Sequence, residues 1–256
     1  MSIIKKYKFV ILLKLVLLFL FTSEYNNSLF LPFCKVFITE SSNPWNYYFY
    51  NSLDLNSFPY HALMLYIFVP FVYIIDVLSI DGLLANFIFK IPLFISDITI
   101  FLIMMKLFYN KEKKVFMYYF LNPIVFYAIY IHSQLDIIPI AFFMVALYLL
   151  NLKKLNKSAF FIGLALSTKL NILIALPLVV YYIFKIENIK SSIKYLSIVI
   201  ITVFILDFPF LFSDGFVNMV LFNQKQTLLF DSFYKIGEIK LLLPIASILR
   251  VYFHFF

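Results

Sequence analysis

Apolar runs alternate with short lysine-rich breaks along the whole chain, and few folds accommodate that alternation. Apolar runs cover residues 3–21, 83–109, 115–131, 137–150 and 195–212. The basic groups fall between them. Lys5, Lys6 and Lys8 lie at the start, Lys111, Lys113 and Lys114 form a second cluster, Lys153, Lys154 and Lys157 a third, and Lys185, Lys190 and Lys194 a fourth. A membrane span needs about 20 apolar residues, and basic clusters between spans are the positive-inside signature of a membrane protein. Of the 256 residues 64% are hydrophobic and 13% charged, against roughly a quarter charged in an average soluble domain, and no soluble fold hides that much apolar surface. In lipid each backbone group must find a partner inside its own segment, which makes helices the open choice. The expected fold is therefore all-α, a polytopic transmembrane helical bundle of about eight spans.

Composition removes several function classes. The net charge of +8 does not point to nucleic acid, because the lysines cluster between apolar runs and not along one polar face. With 4 Gly there is no GxGxxG or Walker pattern to cradle a nucleotide. Cys34, the single cysteine, allows no internal disulfide and no cysteine-based metal site. The start of the chain has the basic and apolar parts of a signal peptide, but Thr22-Ser23-Glu24-Tyr25 is no small-x-small cleavage site, so residues 3–21 are read as an uncleaved first span. Lys14 within it must snorkel or face protein.

Charge parity then orders the topology. With the start of the chain and the three later basic loops on the cytoplasmic side, residues 22–59, 132–136, Lys169 and 213–240 all fall on the outer side. The chain runs from outside at Pro59 to inside at Lys111, which requires an odd number of crossings. Residues 60–78, with Pro70 in their middle and Tyr66, Phe68, Phe71 and Tyr73 around it, are expected to lie in the outer interface as a juxtamembrane helix, leaving 83–109 as the crossing. An ordinary span with an exception to the charge rule is the alternative. Short helices are expected at 159–167 and 171–184 around Thr168-Lys169, and a last span at 241–256. The whole chain, 1–256, reads as one membrane domain, with a first outer loop at 22–82 that carries the interfacial helices and a second at 213–240.

This topology collects Glu24, Asp54, His61, His132, Gln134, Asp136, Lys169 and Asp231 on one side. Each taken alone suits a solvated loop. His132 and Asp136 are four apart and share a face if helical. Lys169 interrupts two apolar helices and is expected to face a polar cavity. No His/Asp cluster has metal-ligand spacing, so neither metal nor cofactor is expected.

These residues carry a resemblance. Glu24-Tyr25 follows the first span; Phe58-Pro59-Tyr60-His61 precedes an interfacial helix; Asn122-Pro123 leads to His132-Ser133-Gln134-Leu135-Asp136; and Gly163 lies six residues before Lys169 in a helix pair containing Pro177. In this order they resemble the GT-C superfamily of polyprenyl-phosphate-sugar-dependent glycosyltransferases over residues 20–235. The likeness is nearest to the glucosyltransferases that extend the dolichol-linked N-glycan precursor and to bacterial relatives of the GPI mannosyltransferases. Asp97 matches a membrane-embedded Asp common in that family. The chain departs from it in carrying Glu24 where Asp is usual, in lacking the basic residue that often follows, and in being shorter, as a minimal or carboxy-terminally truncated member is.

The resemblance implies metal-independent transfer of a hexose, with inversion, from a polyprenyl-phosphate-linked sugar to a lipid-linked or cell-surface glycan. Glu24 is the expected base and Asp54 its competitor. Lys169, then His132, would meet the leaving phosphate, with Lys225 and Arg250 behind them. His61, Gln134, Asp136 and Asp231 are expected substrate-binding residues. Trp45, Tyr47 and Tyr48 would stack on a sugar or anchor the interface. The expected partners are the lipid-linked sugar, the glycan acceptor and membrane lipid, with no nucleic acid. Abundant Phe, Ile, Lys and Asn suggest an AT-rich genome and a bacterial plasma membrane, or the endoplasmic-reticulum membrane in a eukaryote. Three readings compete: a transporter or flippase of lipid-linked sugars, favoured by Lys14 and Asp97; a polysaccharide polymerase; and a non-catalytic scaffold.

Overall fold

The computed structural model describes residues 7–40, 43–223, 233–236 and 239–242. Asp231, Lys225, Arg250 and the expected last span beyond Leu242 lie outside the described residues. Helices make up the regular structure as far as Leu221, and a two-stranded antiparallel hairpin follows.

Helix α1, Lys8–Leu20, ends where Phe21 turns extended. A helix over 24–39 follows, a π-turn at Asn26–Phe30 running into α2, Leu31–Thr39. Helix α3, Pro44–Tyr50, starts on Pro44 and is capped by the Asn43 side chain, which accepts from the Asn46 N–H at 3.2 Å. Next come α4, Ala62–Val77, then α5, Gly82–Phe89, and α6, Ile91–Leu107. Helices α7, Glu112–Val115, and α8, Pro123–Phe126, each continue into a π-turn, Phe116–Phe120 and Tyr127–Ile131. Helices α9, Ile137–Asn151, and α10, Leu155–Leu166, form a hairpin. A 3-10 segment, Leu170–Ala175, leads into α11, Leu176–Ile186. Then come α12, Ile189–Asp207, and the short α13, Asp214–Phe216. Strands β1, Phe233–Ile236, and β2, Ile239–Leu242, pair Phe233 with Leu242. Part of the expected second outer loop is thus a hairpin, and Leu241 and Leu242 belong to a strand, not to the start of a helical span.

Among the described residues two helices, Gly82–Leu107 and Ile189–Asp207, are long and apolar enough to cross a membrane. A third results if Tyr109–Phe120 and Pro123–Ile131 form one span bent by 50°. The bend has a local cause. Pro123 restricts Asn122 to extended backbone, and the Asn122 side chain caps the new helix by accepting from the Ile124 N–H at 2.9 Å. The apolar helices Ala62–Val77, Ile137–Asn151, Leu155–Leu166 and Leu170–Ile186 are shorter. At 1.5 Å per residue such helices fall short of a hydrocarbon core of about 30 Å. On α12, Ile193, Ile200, Ile201, Phe204 and Ile205 are exposed together, an apolar stripe suited to lipid.

The bundle has two unlike ends. At one, Tyr7 beside Lys8 stacks on Phe116 at 4.6 Å, next to the second lysine cluster, and Lys106 lies over the Tyr148 ring near the third. At the other, the two expected outer loops meet: Tyr50 donates to Asp214 at 2.6 Å, and the Gly215 N–H donates to Asn46 at 2.9 Å. Helix α4 has both its ends at this second end. His61 precedes it there, and its last turn is tied by Asp76 to Lys35 of α2 at 2.7 Å. Sidedness is testable by labelling. The native Cys34 is fully buried and burial pushes its thiol far up, so it stays silent. Cysteines introduced at the exposed Gln134 and Lys153 are expected to react with an impermeant maleimide from opposite faces of a sealed vesicle, and labelling of both from one face contradicts the arrangement.

The polar-end loops form an aromatic core of their own. Phe33 stacks on Phe58 at 4.7 Å, and Trp45 meets Phe210 at 4.7 Å and Phe216 at 5.0 Å. A Cβ on Gly215 would run into the Trp45 carbonyl and the Asn46 nitrogen, both main-chain atoms. Gly215→Ala is therefore expected to lower stability by about 1–3 kcal/mol, read as a fall in the melting temperature of the purified chain.

Candidate functional site

The site is organised by a clasp between the start of α4 and the break after α10. Helix α10 ends at Leu166, and the freed carbonyls of Thr168 and Ser167 accept from the N–H groups of His61 at 3.1 Å and Leu63 at 3.0 Å. Helix α12 ends by delivering Asp207 to the same place. Its Oδ1 accepts from the Ala62 N–H at 3.1 Å, and its Oδ2 lies 2.6 Å from His61 Nδ1. A carboxylate at the first turn of a helix satisfies a donor that has no partner within the helix and complements the dipole. As a carboxylate Asp207 only accepts, which puts the hydrogen of that bond on Nδ1; Nε2 is buried with no partner among the described residues.

Beside the clasp, Lys169 reaches Asp136 at 2.5 Å, with its ammonium 5.2 Å from the centre of the Tyr60 ring. The pair is partly exposed, 17% at the lysine and 35% at the aspartate, so water screens it. Burial, with the Asp136 carboxylate adding to it, pushes the Tyr60 hydroxyl far above the usual phenol range and keeps it protonated.

His132 and Asp136 do not share a helix face. Ser133 takes a left-handed conformation, φ 62°, and the chain closes back with the N–H groups of His132 and Gln134 donating to Tyr127 and Ala128 at 2.8 Å each. Asp136 then heads α9. The His132 ring stacks on Tyr127 at 6.0 Å and meets the edge of Tyr25 at 5.4 Å. That places the residue following Glu24 against the His132 loop. The Glu24 side chain is exposed and hydrogen-bonds to nothing among the described residues, and Gln134 is likewise exposed. Asp54 is used locally: its Oδ1 accepts from the Asn56 main chain at 2.9 Å and side chain at 3.3 Å, closing an Asx-turn. Trp45 is fully buried, and its indole donates to the Phe58 carbonyl at 3.4 Å, so it is closed to a sugar face.

Four residues gain roles here that the sequence did not suggest. Asp207 is the first; its signal is a lone carboxylate in the apolar run 195–212. Lys90 is the second. It is fully buried, with its ammonium on the carbonyls of Phe21 at 2.5 Å and Tyr130 at 3.4 Å. These carbonyls close α1 and the π-turn after α8, so two negative helix ends share one cation. Lys90 thereby fixes the end of α1, and with it the approach to Glu24, against the His132 loop. The third and fourth are Tyr119 and Tyr130, which join Lys14 on Asp97. Lys14 meets Asp97 Oδ2 at 2.6 Å, Tyr119 donates to Oδ1 at 2.8 Å and Tyr130 to Oδ2 at 2.5 Å. Lys14 faces protein and does not snorkel; its ammonium also lies 3.9 Å from the Phe120 ring centre.

No family model, curated protein or solved structure matches this chain. The geometry therefore stands by itself. At the end of the bundle opposite Lys8 and the second and third lysine clusters it sets an exposed carboxylate, an imidazole free of hydrogen bonds among the described residues, and an ammonium held by a carboxylate.

Proposed function

We propose that the chain is a membrane glycosyltransferase of the GT-C type, moving a hexose from a polyprenyl-phosphate donor to a lipid-linked or cell-surface glycan with inversion. The observation that carries this reading is the succession of contacts running from Tyr25, next to Glu24, through the His132–Asp136 loop and Lys169 to His61 and Asp207, at one end of an apolar bundle. In this reading that end is the outer face, α4 lies in the interface, and the shorter apolar helices count toward about eight spans. A bacterial plasma membrane is the proposed setting.

The reaction balances as follows. An acceptor hydroxyl attacks the anomeric carbon and passes its proton to Glu24; the bond from that carbon to the phosphate oxygen breaks, and polyprenyl phosphate leaves. Lys169 and His132 stand where the negative charge on that phosphate develops, and Asp136 holds Lys169 in place. His61 is clamped by Asp207 and acts by fixing the start of α4 and the Lys169 break. The test is transfer of labelled hexose by the purified chain from a polyprenyl-phosphate hexose to a lipid-linked acceptor, with a chelator expected to leave the rate unchanged.

A transporter of lipid-linked sugars is the second reading, favoured by the buried Lys14–Asp97 pair within the apolar helices. Against it, Asp97 already takes three donors, which suits a structural lock better than a site that must load and release. Movement of the lipid-linked sugar across a vesicle without covalent change would favour the transporter.

A further inference from the structure

We propose that the cavity between the helix over 24–39 and the segment 76–86 binds a neutral polyhydroxylated ring, a hexose or hexoside. The cavity measures about 440 Å³, and its polar lining comprises Asn27, Lys35, Asp76, Ser79, Asp81 and Asn86. Ligand pockets run from about 300 to 1,000 Å³ and combine apolar walls with a few placed polar groups. Here Leu31, Val72 and Ile75 supply a wall for the C–H face of a pyranose, while amides and carboxylates present acceptors and donors to its hydroxyls.

Two features identify the ligand class. Asn86 is 3% exposed; its amide nitrogen donates to Asn27 Oδ1 at 2.5 Å, but its own Oδ1 is buried with no partner among the described residues. A buried acceptor left unpaired is costly, and a ligand hydroxyl would relieve it. Charge excludes the other obvious occupant. Asp76 is paired with Lys35 at 2.7 Å, leaving the Asp81 carboxylate in excess, so the lining repels phosphate. Asn27 lies three residues after Glu24 on the same helix, about 4.5 Å along its axis. The cavity therefore opens one turn from the proposed base. This inference goes beyond the transfer reading, since the cavity binds a sugar whether or not Glu24 acts as a base.

The experiment is saturation-transfer NMR of methyl α-D-glucopyranoside and methyl α-D-mannopyranoside with the full chain in lipid nanodiscs. Saturation of at least one glycoside by the wild-type chain is expected, weakened about fivefold for each hydrogen bond lost, in Asn86→Leu and in Asp81→Ala. Asp81 is exposed, so the second variant keeps the test open if the first fails to fold. Glu24→Gln is expected to bind the glycoside as the wild-type chain does, so loss of transfer in that variant leaves the cavity standing. No saturation of either glycoside by the wild-type chain overturns the proposal. So does unchanged saturation in Asp81→Ala, or displacement of the glycoside by inorganic phosphate.

Discussion

The Asp97→Ala variant is expected to lose about 3–5 kcal/mol of stability, enough to unfold a marginal chain. The loss follows from what the substitution leaves behind. Lys14 and Asp97 are both fully buried, and without the carboxylate a cation stays in an apolar interior without its counter-charge. The Tyr119 and Tyr130 hydroxyls lose their acceptor in the same step. Asp97→Asn is expected to fall between the two, because an amide oxygen still accepts from a tyrosine while the charge partner is gone. The double variant Lys14→Met, Asp97→Ala is expected to recover part of the loss, since it removes the stranded cation. Unfolding of the purified chain, followed by helicity against added denaturing detergent, measures all three. Equal stability of Asp97→Ala and the wild-type chain contradicts the lock.

Glu24→Gln is the other large effect, and it falls on chemistry alone. General-base catalysis contributes about 10²–10⁴-fold, so transfer is expected to drop by about that factor. Glutamine is nearly isosteric, and the Glu24 side chain is exposed with no side-chain bond among the described residues. The melting temperature is therefore expected to stay where it was. Asp54→Asn serves as the counterpart. Its carboxylate closes an Asx-turn that an asparagine also closes, so activity is expected to remain within a few-fold. The reverse pattern, full activity in Glu24→Gln and loss in Asp54→Asn, moves the base to Asp54.

Much of the architecture could be read in advance because it is written in short-range patterns. Lys8 and the second and third lysine clusters do lie together at one end of the bundle, Thr168 and Lys169 do break a helix pair, and residues 60–78 do hold a helix whose two ends both meet the polar-end loops. The pairings were not readable, because they join residues far apart in the chain. His61 and Asp207 are 146 positions apart, and Lys14 and Asp97 are 83 apart. In each pair the sequence shows only an isolated charge in an apolar run, without its partner. Spacing misled at His132 and Asp136, where left-handed Ser133 ends the helix that an i, i+4 relation presupposes. Composition misled at Trp45, whose amphipathic ring suits an interface but here fills the aromatic core under the loops.

Sugar transfer at this polar end is measured most directly by the amount of labelled hexose passed from polyprenyl phosphate to a lipid-linked acceptor by wild-type chain and Glu24→Gln of equal thermal stability. Glycosylated product with inverted anomeric configuration is expected from the wild-type chain, with a loss of about 10²–10⁴-fold in the variant. Product formed equally by both, or none from a folded wild-type chain across glucose and mannose donors, contradicts that expectation.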